Sequence, residues 1–103
     1  MIKSVRFDDE ASEELDAAAL WYEEQNPGIG AKLIQAAREA TARLAEAPGI
    51  FSHPPGVPLQ LGVRHCSVRR FPYALIFVEL VDEIRVLAFA HYRRRPGYWR
   101  SRL

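Results

Sequence analysis

Midway along this chain, Phe51-Ser52-His53-Pro54-Pro55-Gly56-Val57-Pro58 places three prolines within eight residues. Each proline lacks a backbone N–H and fixes its own φ, so the segment can be neither a helix nor a central strand. It reads as a crossing loop inside one domain. Before it, apolar residues recur at helical spacing; after it, they follow strand patterns. Helices and strands gathered into separate runs point to an α+β fold.

The first half begins with a short strand carrying Ile2, Ser4, Val5 and Phe7. Asp8 or Asp9 then caps a helix, whose early acids through Glu14 suit the positive end of its dipole. Ala11, Leu15, Ala18 and Tyr22 form its apolar stripe, with Ala19 beside it. Gln25-Asn26-Pro27-Gly28 breaks that helix. A second helix carries Ile29, Leu33, Ala37, Ala40 and Leu44, and Pro48-Gly49 stops it. So short a turn predicts an antiparallel helical hairpin over residues 9–47. The second half holds three strand candidates, about 61–70, 73–80 and 83–90, cornered at Phe71-Pro72 and Val81-Asp82-Glu83. Alternation in the last strand puts Ile84, Val86, Ala88 and Ala90 on one face and Arg85, Leu87, Phe89 and His91 on the other. The order β-α-α-β-β-β predicts one domain spanning residues 1–103. One face of a small, largely antiparallel sheet lies under the hairpin, which packs on Ile76, Val78, Val86 and Ala88 or their strand neighbours. The other face is partly open.

The chain has 103 residues, 49% hydrophobic and 26% charged, the composition of an ordinary globular domain. No apolar run approaches the roughly 18 residues that span a bilayer, and acids follow Phe7 directly, so neither a membrane span nor a signal peptide is expected. One cysteine, Cys66, excludes an internal disulfide. With strand-like neighbours it reads as a buried, inert thiol, and the location expected is the cytoplasm. There is no phosphate loop, nucleophile motif or paired metal-ligand spacing. His65 beside Cys66 makes no metal site, and neither metal nor cofactor is expected.

A net charge of +1 conceals a split: residues 1–50 carry ten acids against five bases, and residues 51–103 carry three acids against nine arginines. The arginines collect around aromatics. His91-Tyr92-Arg93-Arg94-Arg95-Pro96-Gly97-Tyr98-Trp99-Arg100-Ser101-Arg102-Leu103 follows the buried-strand run Val86-Leu87-Ala88-Phe89-Ala90. Guanidinium planes fork onto phosphates and aromatic faces stack on bases, so this segment suits a polyanion or an acidic protein partner. Arg64, Arg69 and Arg70 on the first strand of the meander could line an anion groove, or simply guard a sheet edge. His53 reads as a surface residue, and Trp21-Tyr22 as hairpin core. Trp99 either offers a stacking face or folds the tail back onto the sheet.

Taken in order, several pieces resemble the RelE/ParE superfamily of toxins from type II toxin–antitoxin operons, also called plasmid stabilisation proteins. They are Leu20-Trp21-Tyr22-Glu23, Asn26-Pro27-Gly28-Ile29-Gly30, Arg64, Phe71-Pro72-Tyr73 with Ile76-Phe77, Ile84-Arg85-Val86-Leu87-Ala88, and His91-Tyr92-Arg93-Arg94-Arg95-Pro96 with Trp99. The resemblance implies a growth inhibitor neutralised by a cognate antitoxin, and leaves two targets. The RelE-like branch cuts ribosome-bound messenger RNA by attack of the 2′-hydroxyl on the adjacent phosphate. That reaction needs an anion stabiliser and a proton-transfer group, roles that would fall to His91, Arg94 and Tyr98. The ParE-like branch binds DNA gyrase without catalysis, and a target-gripping surface would draw on Arg64, Arg69, Arg93, Arg95 and Trp99. RNases of the family often carry an arginine directly after the tyrosine that opens the middle strand of the meander. Here that position is Ala74, which tips the reading toward gyrase. A nucleic-acid-binding module without activity is a third class, though the second helix, with Lys32, Arg38 and Arg43, carries no recognition signature.

Overall fold

The computed structural model describes residues 2–103; Met1 lies outside them. A short strand, β1 (Ser4–Phe7), leads into helix α1 (Asp9–Gln25) and helix α2 (Ile29–Glu46). Strands β2 (Val63–Val68), β3 (Tyr73–Glu79) and β4 (Glu83–His91) follow the proline loop. The sheet runs β1-β4-β3-β2. The β2–β3 and β3–β4 pairs are antiparallel, whereas β1 runs parallel to β4. The helical hairpin is therefore the crossover that a parallel pair requires.

At the hairpin turn Gly28 takes a left-handed φ of 96°. It stands at the start of α2 without a side chain to cap it. The Glu23 carboxylate of α1 does so instead, accepting the N–H groups of Gly28 (2.9 Å) and Gly30 (3.1 Å). Two of the four orphan donors of α2 are satisfied from the neighbouring helix. The helices come so close there that a β-carbon on Gly30 would lie 2.6 Å from the Ala19 carbonyl oxygen.

Beneath the hairpin, Ala11 and Ala18 of α1 and Leu33, Ala36, Ala37, Ala40 and Leu44 of α2 bury against Cys66, Val68, Leu75, Phe77, Ile84, Val86 and Phe89. Both apolar stripes lie where their periodicity places them. The strand faces differ from simple alternation. Ile76 pairs with Ala88 but the next residue, Phe77, pairs with Val86, so Leu87 is an extra residue, a β-bulge. Ile84 and Val86 face the helices as expected; past the bulge the pattern inverts. Ala88 and Ala90, together with Leu87, join the opposite face, and Phe89 joins the helix side. Ile76 and Val78 lie on that opposite face too, so of the four named sheet partners only Val86 packs under the hairpin.

The opposite face is partly covered, and a cleft is left over its floor. Val57 and Leu61 from the loop region, with Tyr98 and Trp99 from the C-terminal arm, pack over Val63, Ala74, Ile76, Leu87, Ala88 and Ala90. Trp99 is 2% exposed. Of the pair Trp21-Tyr22, only Tyr22 belongs to the core, edge-on to Phe71 at 5.3 Å. Trp21 points outward, 56% exposed, because it falls off the stripe that Tyr22 ends. Asp8 occupies the position before α1 but caps nothing: its carboxylate is drawn away by Arg85, which donates from Nε and Nη2 at 2.8 Å each.

Candidate functional site: the C-terminal cleft

Between the proline loop and the C-terminal arm lies a cleft of about 430 Å3. The loop contributes Pro54, Pro55 and Val57. The sheet supplies a floor of Ala74, Ile76 and Ala90 with His65 and Ser67 beside it. His91, Tyr92, Arg94, Arg95, Tyr98 and Trp99 close the remaining wall. Ala74, Ile76 and Ala90 make the floor apolar, and the cations Arg94 and Arg95 stand beside it.

A polar network holds the arm in place. Strand β1 ends at Phe7, opposite Val86, leaving the rest of β4 without a strand on that side. Side chains take over. The Glu14 carboxylate accepts the Phe89 N–H at 3.1 Å, the Arg102 guanidinium donates to the Leu87 carbonyl at 2.9 Å, and Arg102 also forks onto Glu14 at 2.9 and 3.2 Å. The Tyr98 hydroxyl donates to the other oxygen of Glu14 at 2.7 Å. Burial, and after it the hydrogen bond to Glu14, pushes the Tyr98 phenol far above its ordinary range. Arg85 links this network to the start of α1 by donating to the Arg102 carbonyl as well as to Asp8. Holding buried Asp8 and half-buried Glu14, Arg85 and Arg102 together is tolerable because each charge has a partner of opposite sign.

His91 has its own constraint. Its Nδ1 accepts the Arg93 N–H at 3.0 Å, and its ring sits edge-on to Tyr73 at 5.0 Å. In the neutral ring the proton is then on Nε2, which leaves a donor and no free lone pair to act as a base. The Arg94 guanidinium carbon lies over the Tyr98 ring, 3.9 Å from its centroid.

The residues singled out from sequence do not form one face. His91, Arg94, Arg95, Tyr98 and Trp99 meet at the cleft, although buried Trp99 braces the arm and presents no stacking face. Arg93 is exposed next to them. Arg64 is held away: it shares the helix-facing side of β2 with Cys66 and donates to the Phe51 carbonyl. Arg69, one residue beyond β2, lies in a separate groove with Lys32 and Arg70. The β2 edge is closed by Ser52, which accepts the His65 N–H, by His53, half-buried and donating from Nδ1 to the Val63 carbonyl, and by Arg43, which donates to the Ser67 carbonyl. Sequence reading missed Glu14 and Arg102. One signal existed: Glu14 stands between Ala11 and Ala18 at helical spacing, a carboxylate within an apolar stripe.

A helical hairpin over a four-stranded sheet, with a basic aromatic arm folded across the far face, defines the RelE/ParE class of small toxins. The family model described as "ParE toxin of type II toxin-antitoxin system, parDE" matches residues 5–96, and the chain belongs to that family. Among solved structures it is similar to "Chromosomal ParDE TA system from P. aeruginosa", with 25% identity over 87% of this chain and 96% of that one and a TM-score of 0.75. No curated protein matches the chain. The protein is thus a toxin of a type II toxin–antitoxin module with a cognate antitoxin as partner. Among the described residues no helix is long and apolar enough to cross a membrane.

Proposed function

We propose that this toxin inhibits growth by binding DNA gyrase in the cytoplasm and not by cutting message. The observation that carries this reading is the state of the would-be catalytic groups in the cleft. The His91 Nδ1 is taken by Arg93, the Tyr98 hydroxyl is taken by Glu14, and Ala74 gives the floor no charge. In-line cleavage needs a free proton-transfer group and a cation over the phosphate. Here the Tyr98 hydroxyl is spent on Glu14, and His91, with Nδ1 engaged by Arg93, keeps a donor at Nε2 but no base. The cationic rim with its apolar floor suits an acidic partner segment that anchors through an apolar side chain. The antitoxin is the natural occupant, and a segment wrapped over this face would bury about 1,000 Å2 or more per side.

Purified protein is expected to block supercoiling or trap cleaved DNA, with His91→Ala retaining inhibition. A translation extract containing ribosomes should leave its message intact. Codon-register cuts in that message, lost in His91→Ala or Arg94→Ala by roughly a hundredfold or more, would replace the gyrase reading with the RNase one. Expression of the toxin alone should arrest growth, and co-expression of the neighbouring antitoxin gene should restore it.

A further inference from the structure

A second groove, about 360 Å3, opens between α2 and the turn that joins β2 to β3. It shares no lining residue with the C-terminal cleft. Lys32, Gln35 and Glu39 face it from α2; Arg69, Arg70 and Phe71 face it from the turn. Lys32, Arg69 and Arg70 are exposed, and among the described residues none of the three is in an ion pair. Arg6, Arg85 and Arg102, by contrast, are all neutralised by carboxylates. Arg43 adds a fourth cation nearby, reaching the Ser67 carbonyl at 2.8 Å while its Nε is buried without a partner.

The backbone gives an independent sign. Arg70 has φ 73°, the one non-glycine residue with a left-handed backbone among the described residues. Glycine or asparagine suits that position; an arginine meets steric cost there, so the turn carries a charge at a position whose backbone disfavours it. Such outliers concentrate at binding sites, where the surroundings hold them.

The chemistry of the lining selects the ligand. Three unpaired cations oppose one carboxylate, and only Ala36 and Phe71 are apolar. A protein partner draws its energy from large side chains seated in apolar pockets, which this groove lacks. A phosphodiester backbone asks only for cations fixed at intervals, and guanidinium groups fork onto its oxygens. We propose that this groove binds the phosphate backbone of a nucleic acid, with Lys32, Arg69 and Arg70 as its contacts. The site is independent of the gyrase reading and of the cleft.

Fluorescence anisotropy of the purified full chain with a labelled short duplex DNA and a labelled single-stranded RNA, across a range of salt, tests it. Affinity should fall with salt, and Lys32→Gln and Arg70→Gly should each reduce the slope of log affinity on log salt by about 0.9 for the duplex or about 0.7 for the single strand. Arg70→Gly removes the charge while relieving the left-handed backbone, so its loss of binding cannot arise from unfolding. Glu39→Gln should tighten binding. Stronger binding of one probe assigns the source, DNA or RNA. Unchanged slopes in both groove variants would overturn the proposal, as would loss of binding only in Arg93→Gln/Arg95→Gln. Displacement by charge-matched oligoglutamate as effective as by nucleic acid would hand the groove to an acidic protein instead. Growth arrest reads the toxin function separately from all of these outcomes.

Discussion

The two faces of the sheet are closed by opposite means. Under the helices, alanines and leucines at helical spacing meet strand side chains, and Asp8 is the one charged side chain buried among the described residues. Across the other face a short arm is laid down by Trp99 and tied by Glu14, Tyr98 and Arg102 to an edge that lacks a strand. The first closure is made of many small, interchangeable contacts. The second depends on a few specific ones, so it is the part of the fold that single substitutions or a partner's charges can release.

Substitutions should separate the two closures. Leu33→Ala, at a fully buried site beneath the hairpin, should cost about 2–5 kcal/mol in chemical denaturation. A loss well under 1 kcal/mol would mean that the helical face is not the main source of stability. Glu14→Gln keeps the shape but strands Arg102 and weakens the bonds to Phe89 and Tyr98. It should cost about 1.5–3 kcal/mol, with amide exchange rising at Phe89 and along the arm before it rises in α2. Uniform exchange across the whole chain would show that the arm is not a separable unit.

Tyr98→Phe should cost about 1 kcal/mol at neutral pH. It has a pH signature as well. The folded phenol is raised above its ordinary value of 10.0, so above that pH the unfolded chain releases a proton that the folded one keeps. Stability present below about pH 10 is therefore lost as pH rises, and the phenylalanine variant should lose less. Buried Cys66 and half-buried Tyr73, both raised first by burial, contribute in the same direction and should leave a residual alkaline decline in the variant. Arg70→Gly should have the smallest effect, a gain of about 0.5 kcal/mol from relief of the left-handed backbone.

The helical side was the legible side. Leu33, Ala37, Ala40 and Leu44 announce their burial through spacing alone, and the prolines at 54, 55 and 58 mark the crossing loop. The far side was not, for particular reasons. Leu87 disrupts the alternation of β4 by one inserted residue, and an apolar residue among apolar neighbours carries no sign that it is extra. Glu14, although it stands within an apolar stripe, shows its role only when the tertiary fold sets it against the stretch of β4 that β1 leaves unpaired. Arg64 and Arg69 look like members of one cationic face, but strand alternation and the end of β2 send them to different places. Of the candidate site, the cluster of His91, Arg94, Arg95, Tyr98 and Trp99 was visible as a segment; which of its atoms are already bonded was not.

The parallel pairing of β1 with β4 has a kinetic consequence. Ser4 lies opposite Glu83, so the first strand has no partner until nearly the whole sheet-forming half has been made. The hairpin of α1 and α2 can form early from local contacts, while β1 hangs from it unpaired. Closing a loop of that length is slow compared with forming the β2–β3–β4 meander, whose strands are neighbours in sequence. During synthesis the chain therefore passes through a stage with a finished hairpin, a growing meander and a loose leading strand. The vacant edge of β4 is then open to any extended segment within reach, and the chain's own β1 must win it before a competitor does.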